Sequence, residues 1–533
     1  MTSVALNRPT RRRIVAGLLV ICTVALLLRA YHVWAAVAIS PDSALLITYA
    51  RDLAGDPLSA LRANDQHPLY PVLILVFHGP VGWIADGGST GWILAGRLVA
   101  IAGSLGAILA LYWLTARLYG RRRGLIAAAM LAVLPDACRF GADVLTDLPH
   151  LALYLTGLAA LLTGMQTRLW RYLLLAAASS ALAFLTRPEG GAVLLVGLLV
   201  LLFQRAWPPR RRAGLAAAMI LVFCCLAGPY QLATGKLVPK KSPLDLFKFG
   251  FAARVERAAE STELPEQTHP ERALTVAHAS RATTLLVPIN VLYQWVRAGR
   301  VVYILLAIVG MVVARPRGIA ARVLGIALGI HLLLLHALEY RYGYLDRRHA
   351  LLLIALSLPV AAEGAWWLSR KCATRVGGPP RAGRSRIVIG IIVFCVLVTS
   401  PWLLRPINGG DKHVRASASW LAEHTAPGTP IIGDSRLRRV ALYADRSFIE
   451  WRWWGGDVRY LAECLEEHPT GYFIVDVRHM TSPKRNPAFF EDLGAQFGQR
   501  LELLHAEPAP PPAEPTEIRV YRYHAAPAEP SPR

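Results

Sequence analysis

The chain has 533 residues, 54% of them hydrophobic, with a formal net charge of +23 and a mean hydropathy of +0.38. A soluble protein of this length rarely averages so apolar. Here the apolar residues come in runs of roughly 15–25, long enough as helix to cross a hydrocarbon core of about 30 Å. Most of the Lys and Arg sit in short loops between those runs, so membrane topology accounts for the basic charge and no nucleic-acid partner is expected.

The N-terminus, NRPTRRRIVAGLLVICTVALLL, is a basic start followed by an apolar run. AVA at 36–38 has the small-residue pattern of a signal-peptidase site, but the many later spans favour a retained signal-anchor. Eleven spans are expected, at 13–34, 92–118, 124–137, 148–166, 172–186, 190–204, 213–230, 299–314, 319–338, 349–369 and 386–404. The loops RPTRRR, GRRRG, QTRLWR, QRAWPPRRRAG, RPRGIAAR and SRKCATRVGGPPRAGRSR are rich in Arg and hold no acid. The positive-inside rule makes them cytoplasmic, with the N-terminus. The acidic residues gather in 35–91, 138–147, 187–189, 231–298 and 339–348, which then face outward. The segment 68–85 is apolar but broken by His78, Gly79, Pro80 and Gly82; it reads as an interfacial or re-entrant helix on the outer side.

The expected architecture is a polytopic α-helical membrane domain over 1–405, with large outer loops at 35–91 and 231–298, and a small outward-facing α/β domain over 406–533. In that domain KHVRASASWLAEHTAPGTPIIGDSRLRRVALYA reads as amphipathic helix, Pro-Gly turn, short strand and helix, GYFIVDV as a buried strand, PAPPPAEP as a Pro-rich connector and EIRVYRYH as an edge strand. Within the outer loop, 254–280 has no long apolar face and contains Pro265 and Pro270, so a segment that orders on substrate binding is expected there. The seven Cys form no CxxC pair and no disulfide framework.

The sequence holds no GxxxxGK[ST], no DxD and no HExxH. His331 and His336 are five apart, about 140° round a helix, a poor spacing for one metal. The outer segments instead mix acids with fixed cations: Asp42, then NDQHPLYP with Asp65, His67 and Tyr70, then DACRFGADVLTDLPH with Asp143 and Asp147. LTRPEG follows with Arg187 and Glu189, then TGKLVPKKSP with Lys241, then EYRYGYLDRRH with Arg347 and Arg348. Phosphate chemistry needs that mixture, cations to hold the phosphate and a carboxylate to take a proton. Each feature also has a plain structural reading. Asp42 is a helix cap; Asp143 and Asp147 form a solvated face; Arg187 and Glu189 make a loop ion pair; Lys241 anchors to headgroups; Arg347 and Arg348 snorkel. Glu363, inside the tenth expected span, reaches the cytoplasmic interface.

An aspartate just after the first span, an outer stretch carrying HPLYP, and an Arg-containing second span that ends in ARLYGRRRG resemble the membrane glycosyltransferases of the GT-C superfamily. LTDLPHLALYL after RFGADV, and FLTRPEGG, fit the same arrangement, which is most similar to the protein O-mannosyltransferase and aminoarabinose-transferase groups. The similarity covers about residues 12–350, and HPLYP lacks the second consecutive Pro of the usual HPPLY. The resemblance implies a polyprenyl-phosphate sugar donor and an outer-face acceptor (lipid, glycan or protein), with transfer of a hexosyl or pentosyl group, by inversion, in the cell inner membrane. By position it implies Asp42 as general base, Asp147 with Asp143 as the acid that orients acceptor or cation, and Asp65, His67 and Tyr70 in the donor pocket. Arg187, with Glu189 beside it, Lys241, Arg347 and Arg348 would hold the lipid phosphate. No cofactor follows, and a divalent metal is left open. The alternative is a transporter or flippase of lipid-linked saccharides, which calls for inverted repeats and mid-membrane polar residues.

The topology is testable with an impermeant thiol reagent on a cysteine-free background. With each as the sole cysteine, Arg210→Cys and a restored Cys372 should stay protected from the outside, whereas Arg62→Cys and a restored Cys464 should react. Labelling of position 210 from outside would invert the scheme.

Overall fold

The computed structural model describes residues 8–85, 87–235, 270–313, 318–342, 345–375, 382–451, 458–468, 471–480, 489–508 and 517–524. Lys241 and residues 254–269 of the expected ordering segment lie outside them. The chain divides into two compact units: Met1–His32, Asp52–Leu73 and Arg97–Arg405 in one, and Val33–Arg51, Ile74–Gly96 and Pro406–Arg533 in the other.

The helices in chain order are α1 (Arg8–Ala35), α2 (Pro41–Gly55), α3 (Pro57–Ala63), α4 (Leu69–Val81), α5 (Ser89–Tyr119), α6 (Arg121–Val133), α7 (Pro135–Phe140) and α8 (Asp147–Thr167). They continue with α9 (Trp170–Phe184), α10 (Ala192–Leu202), α11 (Pro209–Thr234), α12 (Pro270–Val313), α13 (Ile319–Tyr342), α14 (Arg347–Arg375) and α15 (Ala382–Leu403). Among the described residues eight helices are long and apolar enough to span a membrane: α1, α5, α8, α11, α12, α13, α14 and α15, each in whole or in part. The other three expected spans are shorter helices. Pro135 ends α6 after 13 residues, since the residue before a proline disfavours helical backbone and Leu134 is extended at ψ 121°. α9 has 15 residues and α10 has 11. The segment expected as an interfacial helix forms α4, with 13 residues and Pro80 inside it. The sequence reading ran the large outer loop to 298, but α12 already begins at Pro270. Pro270 stands at the first helical position, where its missing N–H is no loss.

The first unit is held by close helix crossings. A Cβ at Gly310 of α12 would lie 2.0 Å from the Val360 carbonyl oxygen of α14, and one at Gly364 would lie 2.2 Å from the Leu306 carbonyl oxygen. Two glycines thus let the backbones of α12 and α14 touch, the small-residue device of membrane helix packing. Two side-chain cations of this unit are tied to neighbouring helices. Arg29 of α1 donates to Ser104 Oγ at 2.9 Å and to the Ala132 carbonyl at 2.6 Å. Glu363, flagged by its intramembrane position, accepts from Arg123 Nε at 2.7 Å, and the same guanidinium lies 5.2 Å from the Trp366 ring. It serves as a brace between α6 and α14.

The second unit contains a five-stranded sheet of β1 (Pro430–Gly433), β2 (Ser447–Glu450), β3 (Tyr472–Asp476), β4 (Leu501–Pro508) and β5 (Glu517–Tyr523), in the order β2-β1-β3-β5-β4. β1 pairs in parallel with β2 and β3, and β5 pairs antiparallel with β3 and β4. EIRVYRYH is therefore an interior strand. The edge is taken by LELLHAEP, whose alternation is hidden by a register shift between Leu503 and His505. The helix Lys412–His424 (α16) buries Val414, Ala418 and Leu421 together with Ala38, Ile431 and Val440. Residues 33–51 enter this unit through Ile39, whose N–H donates to Tyr443 Oη at 2.7 Å and whose carbonyl accepts from Arg439.

Gly364→Ala should destabilise the detergent-solubilised protein by at least about 1–3 kcal/mol, the usual cost of overpacking. Gly390→Ala in α15, where nothing lies within 4 Å of the new Cβ, should leave thermal unfolding unchanged. Equal Tm values for the two variants would contradict the glycine crossing.

Candidate active site

The site is built around the first residue of α8. Asp147 has 1% of its side chain exposed, and its two oxygens meet two guanidiniums, Arg187 Nη1 at 2.7 Å and Arg348 Nη2 at 3.2 Å. A carboxylate at a helix N-terminus is favoured by the helix dipole, and here two cations add to that. Arg187 also reaches Glu189 Oε1 at 3.2 Å through Nη2. Burial works against the Arg187 charge, but Glu189 and Asp147 outweigh it and hold its pKa above the usual arginine value.

Local sequence places these groups. Arg187 is extended at φ −156° after α9 ends, and Pro188 opens a short 3₁₀ turn over Pro188–Gly191. A Cβ at Gly190 would lie 2.2 Å from the Ala183 backbone, so only glycine lets this turn fold back on α9. Ser180 Oγ clamps it by donating to the Gly190 carbonyl at 2.8 Å. Arg348 stands in the first turn of α14. Asp147, Arg187, Glu189 and Arg348 line a small pocket, together with His150, His331 and His349 and three leucines. Two of the imidazoles have assigned faces. His150 Nδ1 lies 3.2 Å from the Ala183 carbonyl, so it is the protonated nitrogen. His349 Nδ1 accepts from the Asp346 N–H at 3.2 Å, so in the neutral ring its proton is on Nε2.

Four of the sequence-predicted residues, Asp147, Arg187, Glu189 and Arg348, thus meet in one pocket. Arg347 does not join them. Its neighbour on the helix points about 100° away round the axis, and Arg347 Nη1 pairs with Asp136 Oδ1 at 3.2 Å. Asp143 is 2% exposed and accepts from the Val144 N–H at 2.9 Å. Tyr70 is fully buried within electrostatic reach of Asp143 and Asp147. His67 packs edge-on to Phe184 at 5.0 Å, and burial pushes its pKa down to about 4, so it is neutral at physiological pH. Asp65 lies within electrostatic reach of Tyr230. Asp42 belongs to the second unit, where it is exposed in the first turn of α2.

The sequence reading gave no role to His150, His349, Asp136 or Arg300, and set His331 aside on its spacing from His336. The spacing in DLPH, which puts His150 one helical turn from Asp147, and the RRH run at 347–349 were the available signals. Asp136 and Arg300 carried none, because they are far apart in sequence. Among the described residues no group of three or more His, Cys, Asp or Glu is arranged to hold a metal ion.

Residues 87–228 match the family model of dolichyl-phosphate-mannose-protein mannosyltransferases. No curated protein matches the sequence. Among solved structures, ArnT from Cupriavidus metallidurans in the apo state is similar at 14% identity and a TM-score of 0.59, over 94% of this chain and 97% of that one. The same protein bound to undecaprenyl phosphate gives 14% and 0.58, over 97% and 98%. The Archaeoglobus fulgidus oligosaccharyltransferase tethered with an acceptor peptide gives 12% and 0.56, over 88% of this chain and 69% of that one. These likenesses span nearly the whole chain and bear out the resemblance read from HPLYP and LTDLPH. The chain thus shares the fold of these membrane transferases, the GT-C fold, and carries the mannosyltransferase family pattern over residues 87–228.

Proposed function

We propose that the protein is a multi-pass inner-membrane glycosyltransferase that moves a hexosyl or pentosyl group from a polyprenyl-phosphate donor to an acceptor on the outer face, with inversion. The observation that carries this reading is the pairing of Arg187 and Arg348 on one buried carboxylate in a pocket among apolar helices. When the bond between the anomeric carbon and the phosphate oxygen breaks, the electron pair leaves with the phosphate. Cations placed beforehand stabilise that growing charge, and low polarity strengthens them. Asp147 holds both guanidiniums at one level, and Glu189 fixes the second face of Arg187. The similar structures with bound undecaprenyl phosphate and with dolichol-phosphate agree with such a donor.

Asp42 is proposed as the base that takes the acceptor hydroxyl proton. In α2 it follows Pro41, the first helical residue, so it sits inside the first turn rather than at the cap. An acid there is also favoured by the helix dipole. The alternative reading, a flippase of lipid-linked saccharides, gains nothing from the hydrogen-bonded Arg29 or the Arg123–Glu363 pair, which act as braces.

Membranes incubated with radiolabelled polyprenyl-phosphate sugars should release label to a non-lipid or new lipid product. Label that crosses the bilayer still on its carrier would establish the flippase instead. Arg187→Gln and Arg348→Gln should each lower transfer by about 10²–10³, the range for removing one charge-stabilising group. Asp42→Asn should lower it by roughly two orders of magnitude or more, while Asp52→Asn, near the other end of the same helix, leaves it near wild type. Full activity of Asp42→Asn would sink the base assignment, and equal loss in both would indicate general damage to α2.

A further inference from the structure

A second cluster of guanidiniums stands apart from the Asp147 pocket. Asp136, in α7, is fully buried, and its Oδ1 accepts from Arg300 Nη2 at 3.3 Å and from Arg347 Nη1 at 3.2 Å. Arg139, one turn on in α7, lies within electrostatic reach of Asp136, Arg300, Arg347 and Arg405. Three arginines against one aspartate leave +2; Asp346, whose Oδ1 is 4.0 Å from Arg347 Nε, reduces this to +1. Side-chain exposure is 11% for Arg300 and 22% for Arg347. The Nε atoms of Arg139 and Arg300 are buried and donate no hydrogen bond among the described residues. A surplus of half-buried cation with idle donors is costly unless an anion completes it.

Backbone geometry adds an independent observation. Arg300 interrupts α12 with φ 52° and ψ 148°, a conformation that L side chains rarely adopt. A carboxylate already met by Arg347 has no need of a second cation brought in at that cost. Strained backbone of this kind is kept where the surroundings hold a functional group in place. The Arg300 guanidinium also lies 5.0 Å from the Trp402 ring centroid, which fixes its plane.

We propose that Arg139, Arg300 and Arg347 form a second phosphate-binding subsite, separate from the Asp147 pocket. Asp136 takes one nitrogen of each of two arginines and aligns them, and their remaining donors, with those of Arg139, face a shared anion. Guanidinium forks suit the several oxygens of a phosphate, and the two of a carboxylate would leave donors unused. The phosphate belongs either to a lipid headgroup or to a free phosphorylated ligand. This goes beyond the transferase reading and does not depend on it, because the test below needs no turnover.

The test uses the full chain in phosphatidylcholine nanodiscs with two probes, radiolabelled orthophosphate in solution and phosphatidic acid added to the bilayer. Arg348→Gln should retain binding of at least one probe, since the second subsite is intact. Arg139→Gln, added to that background, should weaken the retained binding about tenfold or more, the worth of one charge-assisted hydrogen bond. Arg139 carries no hydrogen bond to Asp136, so its removal should leave Tm unchanged, and it decides the question even if Arg300→Gln fails to fold. Retained orthophosphate binding identifies a free ligand, and phosphatidic acid alone identifies a headgroup. Loss of all binding in Arg348→Gln, or retained binding indifferent to Arg139→Gln, would overturn the proposal and leave the cluster as a helix brace.

Discussion

The buried carboxylate of Asp147 is the constraint on which the site depends. Its two oxygens face guanidiniums from two separate parts of the chain, the turn after α9 and the start of α14. Removing ions from water is costly, and a buried pair persists only if every partner is in place. Asp147 therefore fixes more than its own position. It sets the level at which two cations stand and the spacing between them, before any substrate arrives.

That level must in turn be held by helix packing. Arg300 and Arg347 lie upstream of Gly310 and Gly364 in their own helices, α12 and α14. Where those glycines let the backbones touch, sliding one helix along the other would drive backbone atoms together. The register of the two helices is thus set by steric contact and not by apolar burial, which discriminates poorly in a lipid surrounding. Two consecutive arginines at the head of α14 then diverge by helix geometry alone, so that one residue step separates a partner of Asp147 from a partner of Asp136.

Much of this could be read from the sequence, for identifiable reasons. Long apolar runs and Arg-rich loops give a membrane fold because hydrocarbon length and charge are local properties. LTDLPH and LTRPEG gave Asp147, Arg187 and Glu189 because each is ordered by its own turn, and RRH gave Arg348. What was missed depends on contacts distant in sequence. Nothing local marks Asp136 as the partner of Arg300, 164 positions later. Nor does periodicity reveal that the run 231–298 turns helical at Pro270, or that EIRVYRYH lies inside its sheet. A strand's neighbours are chosen by the whole topology, and β4 is masked by its own irregular register. The split of α6 from α7 was legible in LPD, since proline acts on the residue before it, but a continuous apolar run concealed it.

The two arginine clusters differ in charge balance, and the difference has a physical consequence. In the Asp147 pocket, Arg187 and Arg348 face Asp147 and Glu189, so the charges sum to zero with neutral imidazoles. Such a site is stable without ligand, and an entering phosphate must compete with carboxylates for the same donors. On the proposed transferase reading, binding there would be self-limiting, which suits a leaving group that has to depart after each turnover. Around Asp136 the arginines outnumber the acids. An anion there meets no competing carboxylate on the idle donors, and it relieves repulsion among the guanidiniums instead of replacing a pair. If both clusters take phosphate as proposed, the balanced one is suited to exchange and the unbalanced one to retention.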